Sequence, residues 1–273
     1  MEYLYHYTNL ETLALILKNK TIRFSSLDRM DDLQEKEACD LKNAGKYIYI
    51  SSWTSDSRES IPMWKMYASL ESGVRIKLRK QPFAFKRNSV EDIRSVLKCT
   101  IEDKTNAGSG LFSWIPVAEM IENEYWCVQA LDKNWQPYPV EYTDELDKIY
   151  PTLVSQTKDS TGIEFGLLGR YKNSFWQFQK EWRYALSVFP LKINQEIETM
   201  IQSARDMTYD ILSDVGRQAF SYIDLKIDDS AVSDMEITIS PQMNQGKKLM
   251  AQALVEKYCP TAVVKESELF GLL

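Results

Sequence analysis

Histidine is almost missing from this 273-residue chain: His6 is the only one. A Ser-His-Asp or Cys-His catalyst would have to use it, and a histidine-based metal centre is not expected. The four cysteines, Cys39, Cys99, Cys127 and Cys259, lie far apart and form no C-x-x-C pair. A zinc site is not expected, and no metal is assigned. No apolar run approaches the ~20 residues of a membrane-spanning helix. The first six residues, Met1-Glu2-Tyr3-Leu4-Tyr5-His6, carry neither the basic stretch nor the apolar core of a signal peptide. The expectation is a cytoplasmic protein without a membrane partner. An excess of basic charge is missing too, since 33 Lys and Arg stand against 39 Asp and Glu. A generic, charge-driven nucleic-acid binder is therefore not expected. There is no internal repeat, low-complexity tract or long linker.

What is present is an ordinary globular balance, 44% hydrophobic and 26% charged, on a chain long enough for a sizeable core. We read one mixed α+β domain over 1–273, with a helical middle at 85–170 and a C-terminal extension at 193–273. Aromatic residues are plentiful, with 7 Trp, 15 Tyr and 10 Phe. Most belong in the core, though such an excess also suits a site that stacks flat rings.

Alternation predicts a strand at 2–8, and Thr8-Asn9-Leu10-Glu11 reads as a capping box with Thr8 as N-cap. A helix through Leu13, Ile16 and Leu17 ends near residues 18–20, and a strand follows at 21–26. Residues 28–45 read as loop with a short helix over 33–42. The clearest strand is 46–53, and Pro62 opens a helix that Gly73 ends before a strand at 74–79. Arg75, Lys77, Arg79, Lys80, Lys86 and Arg87 gather there, read as the solvated basic face of a half-buried strand. Segment 90–98 fits helix or strand. Segments 117–131 and 144–156 look helical, separated by an extended stretch at 138–142. An amphipathic helix at 165–179 runs into a strand at 182–189. A helix at 193–216, strands at 221–227 and 236–240, a helix at 243–258 and a strand at 262–266 complete the chain.

Three groups of residues could carry chemistry. His6 sits mid-strand in Tyr-His-Tyr-Thr, able to offer a hydrogen-bonding edge or simply to be a structural histidine. In Tyr49-Ile50-Ser51-Ser52-Trp53-Thr54, followed by Met63-Trp64-x-x-Tyr67-Ala68, hydroxyl residues at a strand end precede an aromatic helix. Trp64 and Tyr67 share a helix face, as core packing or as a stacking platform. In Trp176-Gln177-Phe178-Gln179-Lys180-Glu181-Trp182-Arg183, Gln179 and Glu181 face one side of an extended backbone. Glu181 is either a surface partner of Arg183 or a lysine, or a carboxylate held among aromatics to stabilise a developing cation.

The ordered set resembles a widespread bacterial family long catalogued as a domain of unknown function. It comprises Tyr-His-Tyr-Thr, Ile-Arg-Phe-Ser-Ser, Met-Asp-Asp-x-x-Glu, Ser-Trp-Thr, Met-Trp-x-x-Tyr-Ala, Lys172-x-x-x-Trp176 and Glu181-x-Arg183. The pattern is similar to ADP-ribosyltransferases of the His-Tyr-Glu type, over residues 2–80 and 170–190. The resemblance implies an ADP-ribosyltransferase-like split mixed β-sheet core with helical insertions. It implies NAD as cofactor and a macromolecular acceptor, DNA or RNA ahead of protein. The implied setting is an intracellular toxin or phage-defence effector, with an antitoxin as a partner. The rival is a non-catalytic nucleotide- or nucleic-acid-binding module of the same fold, or an interaction scaffold.

Carried over residue by residue, His6 would hydrogen-bond the adenosine-side or nicotinamide-side ribose. Tyr67, helped by Trp64, would stack on nicotinamide, and Glu181 would bind the 2′-hydroxyl of the nicotinamide ribose as the catalytic carboxylate. Arg23 matches a functional basic position, and Tyr7, Thr8, Ser25, Tyr49 and Ser52 would line the cofactor pocket. Two positions depart from the family. Its usual Asn-Asp is Asp31-Asp32 here, and Gln179 stands where many members carry a second acid that helps choose the acceptor. Cleaving the nicotinamide–ribose bond passes through an oxocarbenium-like state that one carboxylate can stabilise. A pocket carboxylate adds little to a fold, so Glu181→Gln is expected to lower rate and barely change stability.

Overall fold

The computed structural model describes residues 2–84, 86–88, 111–129, 137–158, 160–191 and 197–273. The uncertain segment at 90–98 lies outside them. Among the described residues the chain is mixed α+β, built on one ten-stranded sheet. Its strands are β1 (Tyr3–Asn9), β2 (Thr21–Ser26), β3 (Ile48–Thr54), β4 (Gly73–Arg79), β5 (Trp126–Gln129) and β6 (Tyr138–Pro139). They continue with β7 (Glu181–Phe189), β8 (Tyr222–Lys226), β9 (Glu236–Ile239) and β10 (Val263–Lys265). The principal helices are α1 (Leu10–Asn19), α2 (Ile197–Leu212) and α3 (Gln245–Tyr258). No helix among the described residues is long and apolar enough to cross a membrane.

The sheet has two leaves that share very little backbone. In one, β1 pairs antiparallel with β4 along its whole length, β4 pairs with β9, and β9 pairs parallel with β10. In the other, β8, β2, β3 and β7 lie side by side antiparallel, and β7 also takes β5 and β6. The leaves meet at a single register pair, Tyr5 with Thr54. Beyond that point β1 and β3 diverge, and the wedge between them is lined by side chains rather than closed by a hydrogen-bond ladder.

Local chemistry explains most elements. Helix α1 buries Leu10, Leu13, Ile16 and Leu17, the spacing of one helical face. It is capped by Asn9, whose side chain accepts from the Thr12 amide, so the expected cap moves one residue on from Thr8. Lys20, at φ 53°, ends it. The largest apolar cluster includes Leu4, Leu13, Ile22, Phe24, Ile76 and Leu186. A second cluster gathers Leu27, Tyr47, Ile48, Ile50, Phe165 and Phe189. Gly73 is required by close approach, because a Cβ there would stand 2.5 Å from the Ser69 carbonyl oxygen and 2.6 Å from the Ala68 Cβ. That contact tucks the Trp64–Ala68 turn against the start of β4.

Several expected elements come out differently. No helix spans 33–42; short 3₁₀ turns lie at Leu27–Arg29 and Ala44–Tyr47 instead. The helix expected over 117–131 stops at Glu122, where Glu124 adopts φ 53°, and the aromatic and β-branched Trp126–Gln129 joins β7 as a strand. The segment 144–156 keeps one turn, Leu146–Ile149, before Pro151, and Val154–Gln156 then forms a hairpin with Thr161–Ile163. The helix expected over 165–179 breaks at Gly169, φ 71°. It leaves a 3₁₀ turn at Phe165–Leu167, a short strand at Tyr171–Lys172 and a 3₁₀ turn at Ser174–Gln179. The helix expected over 193–216 is α2, within 197–212.

The basic face of β4 is not simply solvated. Arg75 is buried, stacks over the Tyr5 ring at 3.9 Å, and donates to the Asp56 and Ser57 carbonyls at 2.7 Å each. Lys77 pairs with Glu236, Arg79 with Asp228, and Lys80 lies over Trp182. These charges are satisfied within the protein because β4 is a central strand. The Arg87 side chain lies outside the described residues.

Candidate functional site

The wedge between the leaves opens into a cavity of about 270 Å³. That is near the lower end of small-molecule pockets, enough for a ring and its attached sugar but not a whole dinucleotide. Strand β1 contributes Tyr5, His6 and Tyr7, β3 contributes Ser52 and Trp53, and β7 contributes Glu181 and Arg183. Tyr67 comes from the turn after β3, Arg29, Asp31 and Glu35 from the loop after β2, and Lys172 and Gln179 from the approach to β7. Among the described residues, no group of three or more His, Cys, Asp or Glu side chains could hold a metal ion.

At the back of the cavity lies a charge quartet. The Arg183 guanidinium donates to both Glu181 oxygens, Nε to Oε1 at 2.6 Å and Nη2 to Oε2 at 3.1 Å. The Lys172 ammonium donates to Glu181 Oε2 at 2.9 Å and to the Gln179 side-chain oxygen at 3.1 Å. Glu35 completes the group, 2.5 Å from Arg183 Nη2 and 3.7 Å from Lys172 Nζ. Side-chain exposure is 0% for Arg183, 1% for Glu35, 5% for Glu181 and 7% for Lys172, so water screens these charges very little. The local backbone makes the arrangement: Glu181 and Arg183 are two apart on β7 and share a face. Lys180, at φ 43°, turns the chain out of the 3₁₀ turn so that Glu181 begins the strand.

The two carboxylates are driven in opposite directions. Burial by itself would raise the Glu181 pKa, but Arg183 and Lys172, with hydrogen bonds from Arg183 and the Ser52 hydroxyl, hold it below the usual carboxylate range. Burial raises Glu35, and Glu181 adds to the rise, while Arg183 and Lys172 only partly oppose it. Glu181 is the firmly ionised member of the pair. Its roughly four acceptor positions are taken by two Arg183 groups, Lys172 and Ser52.

The His6 ring donates from Nδ1 to the Ser52 carbonyl at 2.9 Å, which bridges the two leaves and leaves Nε2 as the acceptor. The ring packs on Trp53 with centroids 5.0 Å apart. Desolvation pulls the His6 pKa below its ordinary value, against the opposing pull of the Ser52 carbonyl. The unfolded chain takes up a proton as pH falls through about 6.5, whereas the folded one resists. Wild type should therefore lose thermal stability between pH 7 and 5 relative to His6→Gln. Parallel melting curves for the two proteins would argue against a neutral, desolvated His6.

The sequence candidates divide into two sets. His6, Tyr7, Ser52, Tyr67, Gln179 and Glu181 all line the cavity. The Tyr67 hydroxyl accepts from the Gln179 amide, and burial with nearby Asp31 and Glu181 raises its pKa. Trp64, Tyr49, Thr8, Ser25 and Arg23 lie outside the cavity lining. Trp64 is fully buried, edge-on to Tyr7, with its ring N–H donated to Glu59 at 2.9 Å. It is core packing beneath the turn that presents Tyr67. Tyr49 is likewise core, with its hydroxyl on the Phe220 carbonyl. Thr8 is buried on β1 opposite Val74, and Ser25 pairs in the sheet with Ile50 and Tyr222. Arg23 is exposed on β2, engaged by Asp224 at 2.9 and 3.0 Å and stacked over Tyr222.

This division makes a prediction about the two aromatic residues. Trp64→Ala should cost about 3–5 kcal/mol, as large core truncations do. Tyr67→Ala should keep the fold and lose ring binding in the cavity. Thermal melts beside ligand titration would separate the two variants, and a Tyr67→Ala protein that unfolds without a separate binding defect would make Tyr67 core as well.

The expected pairing of Glu181 with Arg183 or a lysine is present with both Arg183 and Lys172, buried rather than on the surface, whereas Glu35 has no role in the sequence reading. Glu35 is the acid of Met-Asp-Asp-x-x-Glu, the signal that could have found it. Compared with family models, with curated proteins and with solved structures, the chain finds no match in any of the three.

Proposed function

We propose that the chain is an NAD-dependent ADP-ribosyltransferase acting on a macromolecular acceptor, nucleic acid ahead of protein, as an intracellular toxin or phage-defence effector. One observation carries this reading: His6, Tyr67 and Glu181, far apart in sequence, line one cavity where the sheet divides. The residues suit the ligand. Tyr67 offers a ring face, His6 a neutral acceptor nitrogen, and Glu181 a fixed negative charge.

NAD supplies an activated glycosidic bond whose cleavage releases neutral nicotinamide and places positive charge on the ribose. Glu181 holds its charge beside that position without reorganising, because Arg183 and Lys172 already fix it. With the acceptor positions of Glu181 filled, a ribose hydroxyl must displace one donor. The Ser52 hydroxyl is the one donor whose departure breaks no ion pair. Gln179, tied to Tyr67 and Lys172, stands two residues before Glu181 and would face the acceptor.

A second reading has its own support. The same bidentate clamp by Arg183 makes Glu181 a structural ion-pair partner, as a nucleotide-binding module without catalysis would have it. Purified protein mixed with NAD separates the two, since nicotinamide release marks the enzyme and binding without release marks the module. Labelled NAD added to cell lysate, with label sought in DNA, RNA and protein, then identifies the acceptor. Absence of both binding and release would overturn the proposal.

A further inference from the structure

We propose that Glu35 is the charge-balancing residue of the cavity, the group that lets it accept a cationic ring and prefer oxidised over reduced nicotinamide. The inference rests on the NAD reading and adds to it a specificity that the resemblance does not supply.

The argument is one of charge counting inside a poorly screened space. Three cations line the cavity, Arg29, Lys172 and Arg183, and three acids, Asp31, Glu35 and Glu181. His6 is held neutral by desolvation. Arg29 and Asp31 are exposed at the rim, where water screens them. The buried part is the quartet alone: Glu181 with Arg183 and Lys172 would carry one net positive charge, and Glu35 cancels it. A pocket with that uncancelled charge would repel a pyridinium ring and the positive charge that develops on its ribose. A neutral pocket does not, and the fixed Glu181 carboxylate can then attract.

Glu35 also differs in its bonding from the other members of the quartet. It has one close partner, Arg183 Nη2 at 2.5 Å from Oε2, while Oε1 faces Lys172 only at 3.7 Å. Glu181, by contrast, is gripped at both oxygens, so Glu35 is the member whose charge can be removed with the least loss of geometry. Glutamine at this site keeps the shape and removes only the charge, so Glu35→Gln should fold, with some loss of stability from the positive excess it leaves.

The test is the affinity of NAD and of NADH, measured by titration calorimetry on wild type, Glu35→Gln and the double variant Glu35→Gln/Lys172→Met. The oxidised ring carries a positive charge and the reduced ring none, while the rest of the dinucleotide is the same. One buried unit charge several ångströms from the ring should weaken NAD roughly ten- to a hundredfold in Glu35→Gln. NADH should change less than about threefold. The double variant restores neutrality and should recover NAD affinity, a result that a merely structural role for Glu35 does not produce. Equal weakening of NAD and NADH, or no recovery in the double variant, overturns the inference and leaves the proposed transferase standing. Wild-type protein that binds neither nucleotide overturns both. Should Glu35→Gln prove too unstable to titrate, Glu35→Asp, which keeps the charge, must retain the NAD preference or the inference fails.

Discussion

Arg183→Met should cost the fold about 3–5 kcal/mol, the range for breaking a buried ion pair by removing one partner. The guanidinium is fully buried and serves two carboxylates and the Gly169 carbonyl, which accepts from Nη1 at 2.8 Å. Its loss leaves Glu181 with Lys172 as its only cation, and Glu35 with a single cation at 3.7 Å. Against a typical total of 5–15 kcal/mol, that is a large share of the stability. Urea unfolding of the variant beside wild type measures it. A control comes from the exposed Lys20–Asp229 pair, whose removal should change stability by about 0–1 kcal/mol. If Arg183→Met and the control shift equally, the quartet contributes nothing special. The Glu35→Leu/Arg183→Met double variant should lose less than Arg183→Met alone, because it removes a stranded charge along with the guanidinium.

Glu181→Gln should lower transfer by ~10²–10³-fold if the proposed activity holds, the effect of removing one preorganised electrostatic group. It should also destabilise the protein. That second part departs from the sequence expectation of nearly unchanged stability, and the reason is the clamp. Glu181 is buried, and its charge neutralises Arg183 and Lys172, so a neutral amide leaves a positive excess in a dry site. Rate must therefore be measured well below the variant's own midpoint, with folding confirmed beforehand. Wild-type transfer by folded Glu181→Gln would remove Glu181 from the chemistry and favour the binding-module reading.

Much of the sheet was legible because strand periodicity is short and needs few residues. Strands β1 to β4 and β7 to β10 fall within about two residues of the expected bounds. Between 117 and 179 the extended stretch at 138–142 was legible, as strands at Tyr138–Pro139 and Glu141–Tyr142, but the long helices were not, since apolar residues at helical spacing there pack as short strands and 3₁₀ turns. Tertiary pairing overrides weak local preference in segments this short. The site was half legible. Side chains on regular elements, such as His6 and Glu181, could be placed by alternation. Glu35 could not, because it sits in a loop with no period and acquires its meaning only from Arg183 and Lys172. Trp64 was misplaced for the opposite reason: helical spacing assigns it a face shared with Tyr67, yet the turn it opens is π-helical. The wider turn sends Trp64 inward and Tyr67 to the cavity.

The single register pair joining the leaves has a consequence for how the protein comes into being on the ribosome. The first leaf's β1 and β4, and Glu35 with them, emerge early, while β7 and both cations follow only after the long middle of the chain. Until then Glu35 lacks both of the cations it is buried against in the folded protein. Domains fold as their chains emerge, and closing so long a loop is slow. Any chain terminated before residue 172 carries neither cation, so half-made copies hold His6 and Tyr67 without a quartet. The pocket therefore cannot exist before the chain has grown past Arg183, its last lining residue.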